Sequence, residues 1–406
     1  MASPTRHHKH KRPSLEHAFE GLDISRSHSN TFSPQNTHLG SSIRHMMKSS
    51  LRLGRGTVSR SVRGFETKLT IAQDDFYDYK IAHEDFDPDV SFSELLQLLD
   101  KLQDFLQAPS SPQQKAAFDN YILESLTRMV FGSNYIEKAG TGFEITWDLC
   151  MKIFKGEQVT EEIHERDPEY QRIKADFFRA NLPVNSSTIR RSRREVVQHA
   201  KATVYMINSI CLQDLELSEE IILETHRILT YKVDAESMSW SQYSGVYRSV
   251  DVVAGFNSFA QVSSIPRMMK NMVRDLQYEL NEARKTGTID PIMLVAKYSH
   301  TFVNIHPFLD GNGRMCRLIL NAMLLKFGNL MVCLGGDVSA RDTYLEVASG
   351  ANQLESTYEG REEEDKPVFH KELASLVLSS AKASLGKLIR SPISEKTNLK
   401  SLENTK

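Results

Sequence analysis

Twelve consecutive residues, His306-Pro-Phe-Leu-Asp-Gly-Asn-Gly-Arg-Met-Cys-Arg317, gather the side chains of this sequence that could act together on one substrate. An imidazole with an ordinary pKa of about 6.5 can take a proton from an attacking hydroxyl at neutral pH, which makes His306 a candidate base. Pro307 disfavours the α conformation in the residue before it, so a helix is predicted to stop at His306, its imidazole projecting from an extended residue. Gly311 and Gly313 flank Asn312, permit positive φ and leave backbone amides uncovered where a helix over 313–327, closed by Gly328, should begin. That combination is a nest at a helix N-terminus, an anion site suited to phosphates. Arg314, Arg317 and Asn321 lie at i, i+3 and i+7 on that helix, on one face looking toward the nest. Two guanidiniums there need an anion, and a polyphosphate satisfies both. Asp310 offers the hard carboxylate that a Mg²⁺ ion bridging phosphate oxygens takes as its protein ligand. Each fragment alone reads as a surface turn or a helix-end histidine. In register they specify phosphate-transfer chemistry.

The elements that must hold this loop are mostly helical. Val90, Phe92, Leu95, Leu96, Leu98, Leu99 and Leu102 crowd one side of a helix predicted over 89–106. A second helix, entered through Ser111-Pro112, runs from Ser111 to about Glu137 and ends near Gly140. The 3.6 period returns over 194–211 and 218–229, with Ser218 as a cap, over 266–284, and from Pro291 behind the cap Asp290. Residues 245–262, with Tyr247, Val250, Val252, Val253 and Phe256, are the one convincing strand signal and read as a small β-hairpin. The fold class expected is therefore all-α with one small β-hairpin. Along the chain, residues 1–70 are expected to be an arm without order, rich in basic residues and Ser, because few apolar residues recur at any period. Residues 71–155 form a helical N-terminal region, 156–194 a peripheral charged insert, 195–352 the core, and 353–406 a C-terminal helix (368–389) and polar tail.

The 406 residues carry a net charge of −2, 40% hydrophobic and 25% charged residues, as in an ordinary globular protein with room for a sizeable core. No global basic field is available to hold a polyanion, so no nucleic-acid partner is expected. The four cysteines, Cys150, Cys211, Cys316 and Cys333, lie far apart without zinc spacing, which fits a reducing compartment and no structural metal. The start of the chain lacks an apolar signal core, Glu16, Glu20 and Asp23 argue against a transit peptide, and no apolar run reaches membrane-spanning length. The expected location is cytoplasmic, with no membrane partner; the basic run His7 to Arg12 fits a nuclear address or, more plainly, a solvated tail.

The loop resembles the signature HxFx[DE]GNGRxxR of the Fic family, with every specified position present. The resemblance extends through Gly245-Val-Tyr-Arg248, His300 to Ile305, Arg341-Asp-Thr-Tyr344 and Asn352, covering about residues 195–352. It implies a helical core with a hairpin flap and a protein adenylyltransferase using ATP and Mg²⁺. His306 would then deprotonate a Ser, Thr or Tyr hydroxyl of a protein substrate, and Asp310 would hold Mg²⁺. Gly311, Asn312 and Gly313 would hold the α- and β-phosphates, and Arg314 and Arg317 the β- and γ-phosphates. Tyr344 and Asn352 would contact adenine, and the hairpin over 250–262 would hold the target by main-chain pairing.

Upstream, Ser133-Asn-Tyr-Ile-Glu137 is similar to the family's inhibitory motif [ST]xxxE[GN]. It implies that Glu137 pairs with Arg317 and keeps the γ-phosphate from seating. Lys138 stands where the family has Gly or Asn, and a helix-end Glu in solvent is the plainer alternative. Removal of AMP, transfer of another phosphate-linked group, and a nucleotide-binding scaffold are the competing functions. The oligomeric state, a homodimer included, is left open.

Overall fold

The computed structural model describes residues 39–54, 57–62, 65–71, 76–236, 238–252 and 259–390. Thirteen α-helices build the described chain: α1 Leu39–Ser50, α2 Pro88–Gln107, α3 Pro112–Ile136, α4 Phe143–Phe154, α5 Pro168–Arg179, α6 Ser186–Ile207, α7 Glu219–Leu229, α8 Trp240–Tyr243, α9 Ile265–Thr286, α10 Pro291–Ile305, α11 Asn312–Gly328, α12 Val338–Thr357 and α13 Lys371–Arg390. The all-α class expected from the sequence is what the structure has. No described helix is long and apolar enough to cross a membrane.

The helix starts follow the local chemistry. Ser111 and Gln114 form a reciprocal capping box around Pro112 at the head of α3. Asp290 accepts from the amides of Ile292 and Met293 ahead of Pro291 in α10, and Ser218 accepts from Ile221 at α7. Gly287, at φ 71°, closes α9 in the left-handed region, where a Cβ would be strained. Almost every residue of α11 is buried, and α10, α6, α3 and α7 pack around it. A helix apolar on all sides can exist only at the centre of such a layer.

Two expectations fail here. Of the segment 1–70, predicted to lack order, the described residues from 39 to 69 form α1 and three strands, β1 Leu51–Gly54, β2 Thr57–Val62 and β3 Phe65–Leu69. An antiparallel meander joins β1, β2 and β3, and β6 (Thr288–Ile289) adds to β3 in parallel register, Lys68 opposite Thr288. The signal overlooked is Leu39, Ile43, Met47 and Leu51, four apolar side chains at fourfold spacing, all buried. Ser and Arg between them hid the period. Residues 1–38, with the basic run His7 to Arg12, lie outside the described residues, as do 391–406.

The second concerns the predicted hairpin. Residues 245–252 and 259–261 contain no strand, and Val262–Ser264 is a 3₁₀ turn; residues 253–258 lie outside the described residues. The other strands found are β4 Lys80–Ile81 and β5 Glu84–Asp85, paired with each other. In the segment 156–194, α5 packs against α6 and buries Ile173 and Phe177, and α6 begins at Ser186 rather than at Arg194.

Candidate functional site

His306 caps α10, as the position of Pro307 predicts, but in the left-handed region at φ 50°, ψ 59°, not in an extended conformation. Pro307 excludes αR, and the last amide of the helix, from His306 to the Phe302 carbonyl at 3.1 Å, favours the tight left-handed turn. That turn costs about 1–2 kcal/mol in a non-glycine residue and fixes where the imidazole points. Nδ1 donates to the Val303 carbonyl at 3.1 Å, so Nε2 is the atom left with a lone pair. The Phe259 ring stacks on the imidazole at 3.8 Å. Burial, helped by the Arg248 guanidinium, pushes the pKa of His306 down to about 4. The ring is neutral at pH 7, the form a base needs.

Beyond His306 the loop is held by side chains rather than by solvent. Asn312 donates to the Phe308 carbonyl at 2.8 Å and accepts from the Phe308 amide at 2.9 Å, closing the turn on itself. Its side chain is thus committed to the loop, and only its backbone amide can face an anion. Gly311 lies at φ 82°, which a side chain would strain. No side chain caps α11, so the amides of its first turn are presented as the sequence predicts. Helix α11 begins one residue earlier than expected, and Asn329, left-handed, closes it after Gly328.

Asp310 accepts from the Gly311 amide at 2.6 Å and from Arg314 at 3.2 Å on both oxygens. Burial opposes its charge, yet Arg314, the Gly311 amide and Arg191 together hold the carboxyl below its usual range. Among the described residues no group of three His, Cys, Asp or Glu could hold a metal. Asp310 alone suits an ion whose remaining ligands are phosphate oxygens and water, as Mg²⁺ commonly is.

Arg314 and Arg317 are both buried. On Arg314, Nε and Nη1 lie buried without a hydrogen-bond partner among the described residues, an arrangement that calls for an anion. Arg317 is held on one edge: Nε donates to Ser133 Oγ at 2.9 Å, and Nη2 to the Ser133 carbonyl at 3.0 Å and to Glu137 Oε1 at 2.6 Å. The Tyr344 ring faces its guanidinium at 5.4 Å. Glu137, the cap residue after α3, therefore lies at the head of α11, and a Cβ on Gly313 would collide with its Oε1. Gly313 is helical and is required small for this approach, not for a positive φ. Lys138 takes φ 53°, the left-handed position that Gly or Asn adopts at least cost. Asn321 does not reach the nest; it accepts from the Val332 amide and donates to the Arg317 carbonyl. Asn352 donates to Asn304, which together with His300 contacts Glu355.

Three supports were not legible as site residues. His226 on α7 stacks on Phe308 at 3.7 Å, accepts the Gly245 amide at Nδ1 and donates from Nε2 to the Asp310 carbonyl. Burial pushes its pKa down to about 4, which keeps the ring neutral, and the two hydrogen bonds fix its tautomer. Arg248 donates from Nε to the His306 carbonyl, and from Nη1 and Nη2 to the carbonyls of Val250 and Ala260, while its amide donates to Pro307. His199 on α6 donates from Nδ1 to Asn134 at 2.8 Å beneath Arg314 and Arg317. The sequence marks Arg248 only as the end of Gly-Val-Tyr-Arg, and His226 and His199 only as members of amphipathic helices.

Residues 216–324 match the Fic/DOC family model. The chain is 40% identical over 84 residues to a Fido domain-containing protein of Dictyostelium discoideum, covering 21% of this chain and 56% of that one. It is 35% identical over 113 residues to the protein adenylyltransferase fic-1 of Caenorhabditis elegans, 28% of this chain and 20% of the relative. The chain thus spans about half the length of the first relative, 56%, and a fifth of the second, 20%. In fold it is similar to a Fic domain-containing signaling protein from Bacteroides thetaiotaomicron, with a TM-score of 0.53 at 19% identity over 73% of this chain and 97% of the other. Fic-1 from C. elegans superposes with a TM-score of 0.50 at 19% identity, 77% and 74% covered.

Proposed function

We propose, from the premise that this chain belongs to the Fic/DOC family through residues 216–324, that it transfers AMP from MgATP to a Ser, Thr or Tyr hydroxyl of a protein. One observation carries the proposal. A neutral His306, its Nε2 free to accept, stands one short loop from an uncapped helix N-terminus and a buried, partly unpaired Arg314. A base beside a phosphate cradle is what transfer to a hydroxyl requires.

In the proposed step the target oxygen attacks the α-phosphorus and its proton passes to Nε2 of His306. The new O–Pα bond forms as the bond from Pα to the bridging β-oxygen breaks, and pyrophosphate leaves. The amides of Gly311, Asn312 and Gly313 would face the α- and β-phosphates, and Arg314 the charge building on the leaving group. Asp310 would hold Mg²⁺, which when bound neutralises phosphate charge. Tyr344 and Asn352 are proposed as adenine neighbours on the resemblance, and residues 250–262 as the segment that pairs with the target main chain.

Glu137 is proposed to restrain the reaction. Its carboxylate stands over Gly313 and pairs with Arg317, so it occupies, in cis, the position of an anion at the head of α11. A terminal phosphate approaching that guanidinium would compete with the carboxylate for Nη2. The test of the transferred group is the position of the label. Label from α-labelled ATP should appear on protein and label from γ-labelled ATP should not; transfer of the γ label would make this a kinase and overturn the proposal.

A further inference from the structure

We infer that Arg191, on α6 and outside the matched family region, is a third guanidinium of the phosphate site, contacting the phosphate chain of the bound nucleotide. The inference rests on the proposed nucleotide reading and extends it to a residue from a segment expected to be a peripheral insert.

Arg191 is aimed rather than floating. Its Nε donates to Glu195 Oε1 at 3.0 Å, one helical turn on, and the other Glu195 oxygen accepts the Gly140 amide at 2.7 Å. The Glu195 side chain is only 6% exposed, so its carboxylate is a fixed anchor for Arg191, whose own side chain is 39% exposed. The far end of the guanidinium brings Nη2 to 3.9 Å from Asp310 Oδ2. That is an ion-pair separation too long for a hydrogen bond, and no described residue accepts from either Nη. Nη2 therefore faces the candidate metal-holding carboxylate, and neither Nη has a described acceptor, which leaves donors of the planar fork for phosphate oxygens.

Charge supports the assignment. Three guanidiniums converge, Arg191, Arg314 and Arg317; Glu195 and Glu137 partner the first and last, leaving Asp310 between Arg191 and Arg314. A nucleotide polyphosphate with a divalent ion at Asp310 would release both arginines from that carboxylate and leave each a phosphate to bind. Glu195 would be the positioning residue, and through the Gly140 amide it ties Arg191 to the turn that follows Glu137.

The test is equilibrium binding of MgATP, pyrophosphate and adenosine to the full chain, in a Glu137→Gly background that removes the competing carboxylate. Arg191→Ala should weaken MgATP and pyrophosphate about 10- to 100-fold, the worth of a charge-assisted contact, and leave adenosine unchanged. Arg191→Lys, which keeps the charge but not the fork, should recover part of the loss and shows that the site still folds. Unchanged MgATP binding by Arg191→Ala, or equal losses for MgATP and adenosine, would overturn the inference and leave the proposed function standing. A Glu137→Gly parent that bound no MgATP would overturn the proposed function and this inference with it.

Discussion

At the scale of single residues, the chemistry turns on which atoms are already engaged. His306 has one nitrogen occupied by Val303 and a pKa pushed down to about 4, from 6.5, by burial. It stays unprotonated as pH falls until the folded value is approached. The acid limb of the pH profile for label transfer should therefore lie near pH 4, and a limb centred near 6.5 would show that the imidazole titrates as if solvated. Arg317, by contrast, has Nε and Nη2 taken up by Ser133 and Glu137. Glu137→Gly should tighten MgATP about tenfold or more by calorimetry, because the nucleotide no longer displaces an internal carboxylate. Affinity unchanged within error would mean that the ion pair does not compete. The residues of the signature loop were legible because their types carry the chemistry. The roles of Asn312 and Asn321 were not: an amide on the right face reads as a ligand contact until its partners, Phe308 and Val332, are known.

At the scale of elements, the site is a junction of α10, α11 and the end of α3, and turns in the left-handed region set its geometry. Gly311 at φ 82° can be replaced by Ala only at about 1–2 kcal/mol, so Gly311→Ala should lower the thermal midpoint as well as transfer. Lys138 is the reverse case. At φ 53° it occupies a glycine-like position, and Lys138→Gly should stabilise the chain by about 1 kcal/mol in chemical denaturation. A loss of stability would mean that the Lys138 side chain contributes more than its backbone costs. The caps of α3 and α10 were plain in the sequence because the pairs Ser111-Pro112 and Asp290-Pro291 act locally, and Ser218 ahead of α7 because a lone Ser before an apolar period is itself a cap signal. The hairpin expected over 245–262 was not found in its described parts. There, Arg248 takes the carbonyls of Val250 and Ala260, two acceptors that a ladder would otherwise use, and β-rich composition cannot foresee that.

At the scale of the whole molecule, α1 and the meander β1–β3 belong to the same compact unit as the site, since Ile43 and Leu51 are fully buried in the shared core. Ile43→Ala should cost about 2–5 kcal/mol, a loss that an unstructured arm could not produce. Stability should also depend on acid through the buried histidines. His306 and His226 have folded values near 4 against 6.5 unfolded, so between those values the unfolded chain binds protons that the native one refuses. Their contribution is present above pH 6.5 and is lost as pH falls toward 4, visible as a falling denaturation midpoint. The central claim, that His306 activates a protein hydroxyl against the α-phosphate of ATP, meets its most direct test in one comparison. Glu137→Gly and Glu137→Gly/His306→Ala chains are incubated with α-labelled MgATP and candidate target proteins, after MgATP binding has been matched. The account predicts labelled protein from the first chain and a loss of at least about a hundredfold in rate from the second; equal labelling by both would contradict it.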